Sequence, residues 1–141
     1  MAALDLNTIR QTIEARLATE MASSPAITTI FANEPFTPTS ETSFVQCLVN
    51  FGSGEYLTLG GTSDSKNSQI GNITINIFTK IGVGLGDNLT IAKRIRDLYN
   101  RVVISDLYFE PPDGPNVLEA ASPQGFVQSV LSVNFEIIES L

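Results

Sequence analysis

The segment NITINIFTKI, residues 72–81, has the clearest strand pattern in this chain. Isoleucine stands at positions 73, 75, 77 and 81, while polar residues stand at positions 72, 74, 76 and 80. A period of two residues places the isoleucines on one face of a β-strand and the polar side chains on the other. One buried face and one wet face are typical of an antiparallel sheet covered on one side only.

Two other segments repeat this alternation on either side of it. Residues 43–51 place Val45, Cys47 and Val49 on one side, and residues 126–138 do the same with Leu131, Val133 and Phe135. The second segment would span roughly 40 Å at about 3.3 Å per residue, which is long for a small domain. Shorter strands are predicted at residues 27–31, 102–109 and 117–121.

Two amphipathic helices are predicted, at Asp5–Ala22 and at roughly Asn88–Arg101. Their apolar faces repeat at helical spacing: Ile9, Ile13, Leu17 and Met21 in the first helix, and Ile91, Ile95, Leu98 and Tyr99 in the second. Asp87 is a plausible cap of the second helix, and Asp97 and Arg101 have the spacing of a stabilising pair.

The order helix, three strands, helix, two or three strands predicts an α+β fold. We expect one antiparallel sheet with both helices packed on one face, in a single domain covering residues 1–141. Two segments interrupt this order. Residues 34–42 form an irregular arm with Pro35 and Pro38, and Gly52–Gln69 is interpreted as a long hairpin connection with an ordered stem and a mobile tip.

The charge of the chain argues against binding to nucleic acid. Eight basic and fifteen acidic side chains give a net charge of −7, and residues 105–141 hold six acids and no base. Such a surface repels DNA phosphates. No apolar run approaches the roughly 20 residues that span a bilayer, and the first residues lack the pattern of a secretory signal.

No motif in the sequence carries catalytic or cofactor chemistry. The chain has no histidine, the commonest general base and metal ligand. Cys47 is interpreted as a small buried hydrophobe. The segments GVGLGD (residues 82–87) and GTSDSKNS (residues 61–68) lack the spacing of nucleotide-binding loops and are interpreted as a joint and a hairpin tip. We expect no catalytic residue, cofactor or metal.

The polar faces of the strands are mostly neutral amides and hydroxyls, where an exposed sheet usually carries more Lys and Glu. The predicted face consists of Asn72, Thr74, Asn76, Gln128, Ser132 and Asn134, with Gln46 and Asn50 beside them. Such a face suits a sheet shared between subunits or the lining of a water-filled channel. An ordinary solvated face is the alternative.

Three sets of residues are candidates for contacts between subunits. Lys93, Arg94 and Arg96 on the second helix are expected to pair with the acidic last third of a neighbouring copy. A solvated face and a nucleic-acid patch are the alternatives. The other candidates lie on the arm and the hairpin: Glu34, Phe36, Tyr56, Leu57, Leu59 and Lys66.

Three stretches give the chain a resemblance to a known family: IFANEPFTP at residues 30–38, NLTIAKRIRDLY at residues 88–99 and GFVQSVLSVNFEI at residues 125–137. Together with the order of elements they resemble the phage tail terminator family, including the lambda-type tail terminators. The resemblance covers nearly the whole chain.

The resemblance implies a structural virion protein without catalytic residues. It implies a homohexameric ring that caps the head-proximal end of the tail tube, ends tube polymerisation and joins the tail to the neck. Its partners would be further copies of itself, the tail tube protein, neck or head–tail connector proteins, and a sheath protein where one is present. Genomic double-stranded DNA would pass through the lumen without specific binding, and no membrane would be involved.

The implied place is the tail and neck of the virion, after assembly in the host cytoplasm. Three alternatives stay open. Two are assembly proteins, a head–tail connector subunit and a tail tube subunit. The third is a small monomeric binding module. An enzyme is the least supported class.

Overall fold

The computed structural model describes residues 5–23, 25–32, 43–60, 65–80, 85–118 and 126–140. Two helices and seven strands lie within these ranges. In chain order they are α1 Leu6–Ala22, β1 Thr28–Phe31, β2 Phe44–Tyr56, β3 Lys66–Lys80, α2 Gly86–Tyr99, β4 Val103–Ile104, β5 Leu107–Phe109, β6 Asp113–Leu118 and β7 Phe126–Ser140.

The described strands form one sheet in the order β1-β2-β3-β7-β5-β4, and β6 pairs with β7. The pairs are antiparallel except for β1 and β2, which run parallel from Thr28 opposite Phe44 to Phe31 opposite Cys47. The sheet is therefore mixed, and the prediction of an antiparallel sheet was wrong at this edge. A parallel pair needs a connection of about a dozen residues, which is the length available between Phe31 and Phe44.

The described part of the alternating segment, residues 72–80, forms the centre of the hydrophobic core, while Ile81 lies outside the described residues. Ile73, Ile75 and Ile77 are each fully buried in the middle strand β3. Ile75 lies between Cys47 of β2 and Leu131 of β7, so the apolar residues of three strands form continuous rows. Each buried isoleucine contributes about 1.5–3 kcal/mol by leaving water.

Both helices pack on this apolar face of the sheet. One core cluster joins the buried residues of α1 and α2 to the strand residues: Ile13, Leu17, Met21, Ile91, Ala92, Ile95 and Tyr99. The hydroxyl of Tyr99 donates a hydrogen bond to the carbonyl oxygen of Ile13 at 2.8 Å. The predicted placement of the two helices on one face is therefore what the structure shows.

Helix α1 begins where the sequence predicts. Asp5 is its N-cap, and its Oδ1 accepts hydrogen bonds from the backbone amides of Asn7 at 3.1 Å and Thr8 at 3.2 Å. The hydrogen bonds from Thr8 are the main cause of a lowered pKa of the Asp5 carboxyl. The helix ends at Ala22, next to an extended Ser23.

Helix α2 differs from its prediction at both ends. It begins at Gly86 and has Leu85 at the N-cap position, without a side-chain cap, so Asp87 is a first-turn residue and not the cap. It ends at Tyr99, and Arg101 follows in a left-handed conformation with φ of 56°. Arg101 therefore lies outside the helix and does not have the helical spacing from Asp97 that the predicted pair assumes. Asp97 pairs instead with Lys93.

Three strand boundaries also differ. The segment 102–109 is divided into β4 and β5 by a turn in which Ser105 has φ of 53°. Strand β6 covers Asp113–Leu118, so it starts four residues before the strand predicted at residues 117–121. Strands β2 and β3 extend into the predicted Gly52–Gln69 connection, because Gly54 pairs with Gln69 and a bulge after Phe51 keeps the ladder going.

Candidate assembly surfaces

The side of the sheet away from the helices carries a polar network, here called the amide face. Its first row crosses three strands. Gln128 Nε2 donates to Asn76 Oδ1 at 3.1 Å, and Asn76 Nδ2 donates to Gln46 Oε1 at 3.2 Å. These side chains are half-buried and bond to one another, so the structure brings them together, and their role in a lumen or a shared sheet stays a prediction.

A second row of the amide face centres on Asn72. Its Nδ2 donates to Ser132 Oγ at 2.7 Å and to Asn134 Oδ1 at 2.9 Å. Thr74 Oγ1 donates to Asn72 Oδ1 at 2.9 Å. All six predicted residues of the face therefore take part in hydrogen bonds within the chain, Ser132 and Asn134 as acceptors, and the result is a neutral polar network.

One end of the amide face is apolar, which the sequence analysis did not predict. Ile30, Phe44, Phe78 and Phe126 form a second buried cluster. The rings of Phe44 and Phe78 stack with centroids 4.5 Å apart, and Phe126 meets Phe44 edge-on at 5.2 Å. In the sequence, each of these three phenylalanines stands two residues from an amide side chain of the amide face. That spacing is the signal by which the cluster could have been predicted.

The hairpin between β2 and β3 carries the two most exposed large apolar side chains among the described residues, Leu59 and Tyr56, with Leu57 between them. Relative exposure is 81% for Tyr56, 50% for Leu57 and 96% for Leu59. The base of the hairpin is ordered, since the amides of Leu57 and Thr58 both donate to the carbonyl oxygen of Lys66. Exposed apolar groups on an ordered projection are typical of a protein–protein contact.

The three predicted basic residues of α2 differ in their contacts within the chain. Lys93 is exposed and pairs with Asp97 at 2.5 Å on the same helix. Arg94 donates to the carbonyl oxygens of Glu20 at 2.7 Å and Pro25 at 2.9 Å, at the end of α1. Arg94 therefore binds one carbonyl group in the last turn of α1 and one in the segment that follows the helix.

Arg96 also works within the chain. Its Nη1 donates to the carbonyl oxygens of Pro112 at 2.9 Å and Gly114 at 2.8 Å, which holds the start of β6 against α2. A role of these arginines between subunits stays a prediction. Glu34 and Phe36 of the arm lie outside the described residues, as do hairpin positions 61–64.

A buried asparagine that the sequence analysis missed joins α2 to the sheet. Asn88 is fully buried, and its Nδ2 donates to Ile77 O, Thr79 Oγ1 and Val127 O, each at 3.2 Å. Its Oδ1 accepts from the hydroxyl of Ser129. The signal was available, because Asn88 has helical spacing with the core residues Ile91, Ile95 and Tyr99 of α2.

The single cysteine is part of the core, as predicted. Cys47 is fully buried, and this burial, followed by the nearby charge of Glu14, raises the pKa of its thiol to about 12. A neutral thiol at physiological pH is a poor nucleophile. Within the described ranges, no three metal-ligating side chains are grouped to hold an ion. No helix in those ranges is long and apolar enough to cross a membrane.

These surfaces suit a protein that assembles with other proteins, and the comparison with protein families agrees. A model described as phage tail terminator protein matches residues 8–114, well over half of the chain. This chain belongs to the phage tail terminator family. It is therefore a structural protein of the phage tail and not an enzyme.

A solved structure supports the fold independently. It shares 17% sequence identity and superposes with a TM-score of 0.70, covering 95% of this chain and 96% of the other. This likeness shows the fold alone. No curated protein matches the sequence.

Proposed function

We propose that the chain forms a homohexameric ring that caps the head-proximal end of the phage tail tube. The ring ends tube polymerisation and presents the surface that joins the tail to the neck. The match of residues 8–114 to the tail terminator family carries this proposal. The exposed hairpin and the amide face supply surfaces of the kind that such a ring needs.

The hairpin supports self-association. Tyr56 and Leu59 would keep most of their apolar area in water in a monomer. Burial of that area against a neighbouring copy is favourable by about 25 cal/mol per Å² of apolar surface. Lys66 and Lys93 are further proposed contacts, together with Glu34 and Phe36 of the arm.

The amide face supports a lumen through which DNA slides. Asn72, Asn76 and Gln128 are uncharged, and their amide groups donate to neighbouring side chains of the same sheet. The net charge of −7 adds a general repulsion. A wall with these properties lets double-stranded DNA pass without holding it.

The proposed partners follow from the position of the ring. One ring face meets the tail tube protein, the other meets neck or head–tail connector proteins, and a sheath protein is an additional neighbour in a contractile tail. Assembly takes place in the host cytoplasm, and the finished ring stays in the virion.

A tube-capping experiment tests the proposal. Purified tail tube protein is allowed to polymerise with and without this chain, and tube lengths are measured by electron microscopy. We expect tubes that stop lengthening and carry extra density at one end. Tubes formed by this chain alone would identify a tube subunit, and binding to the connector without any effect on tube length would identify a neck protein.

A further inference from the structure

We draw no further inference here: the strongest candidate, the apolar groove with an acidic rim between the first turns of α1, the turn that joins β4 to β5 and the end of β7, carries no proposal, because nothing in the structure shows what covers it.

Discussion

Asn88 is the clearest case of one side chain that organises its surroundings. It is buried between α2, β3 and β7, and it donates to Ile77 O, Thr79 Oγ1 and Val127 O while accepting from Ser129. Removal of a buried hydrogen-bonding partner costs about 1–3 kcal/mol for each polar group left unsatisfied. A substitution of Asn88 would remove several of these hydrogen bonds at once, so the free energy of unfolding should depend strongly on this side chain.

We predict that Asn88→Ala lowers the free energy of unfolding by about 3 kcal/mol. Asn50→Ala is the matched control, since Asn50 is an exposed asparagine on β2, and its effect should stay within about 0.5 kcal/mol. Urea denaturation followed by circular dichroism measures both. Equal midpoints for the two variants would show that the hydrogen bonds of Asn88 do not stabilise the fold.

Arg94 and Lys93 are neighbours on α2 with opposite expected roles. Arg94 binds the carbonyl oxygens at the end of α1, with only 16% of its side chain exposed, whereas Lys93 is 71% exposed. We predict that Arg94→Ala lowers the melting temperature of the monomer by several degrees and that Lys93→Ala leaves it nearly unchanged. Differential scanning calorimetry checks this contrast.

Lys93 also separates folding from assembly. If α2 faces an acidic surface of a neighbouring copy, Lys93→Glu should weaken association at low salt and leave the monomer folded. The same change at Arg94 or Arg96 would damage the fold and could not be interpreted. Unchanged association of Lys93→Glu at low ionic strength would remove α2 from the proposed interface.

At the scale of elements, regular alternation was the part of the fold that the sequence predicted well. Ile73, Ile75 and Ile77 face the core in β3, and α1 occupies the predicted range. A repeat of two residues in a strand, or of about 3.6 residues in a helix, is a local property of the sequence. It therefore predicts these elements without knowledge of their neighbours. The end of β2 and the start of β3 lack such a repeat, and their strand character comes from pairing across the hairpin.

The roles that depend on distant contacts were not predictable. Arg94 and Arg96 look like free surface charges in the sequence, yet their partners lie on α1 and beside β6, far away along the chain. The parallel direction of β1 likewise depends on how the chain returns to β2. The sequence predicted which residues belong to the amide face. It did not predict which of them bond to one another, because those pairs depend on the register of three strands.

The hairpin is the element on which the proposed assembly depends most. Residues Lys66–Gln69 also pair with the end of β7, from Ser140 to Ile137, so removal of the whole connection would damage the sheet. A shorter change is needed. We predict that replacing residues 58–65 by Asn-Gly, a favoured two-residue hairpin turn, keeps the monomer folded and lowers the yield of rings.

Circular dichroism and size-exclusion chromatography measure the two effects of this shortened hairpin. The unmodified chain and Leu59→Met serve as controls, because both retain the projecting apolar surface. A shortened hairpin with the same ring yield as the unmodified chain would exclude residues 58–65 from the contacts between copies.

At the scale of the whole molecule, the two sheet faces and the hairpin together favour assembly. One sheet face is filled by two helices. The other carries a neutral network of amides with a buried apolar cluster at one end, and the hairpin projects apolar side chains into solvent. A monomer would leave those projecting groups in water, whereas the proposed ring would bury them and would place the amide face around its channel. Membership of the tail terminator family makes the chain a structural protein of the phage tail, which agrees with the proposed ring.

The native mass of the purified chain tests the central claim most directly. We predict a dominant species of six subunits, each of 15.2 kDa, which appears as a ring in electron microscopy and does not grow with concentration. A closed ring has this fixed size because each contact surface is used once. A species of one subunit at all concentrations, or open tubes of variable length, would contradict the account.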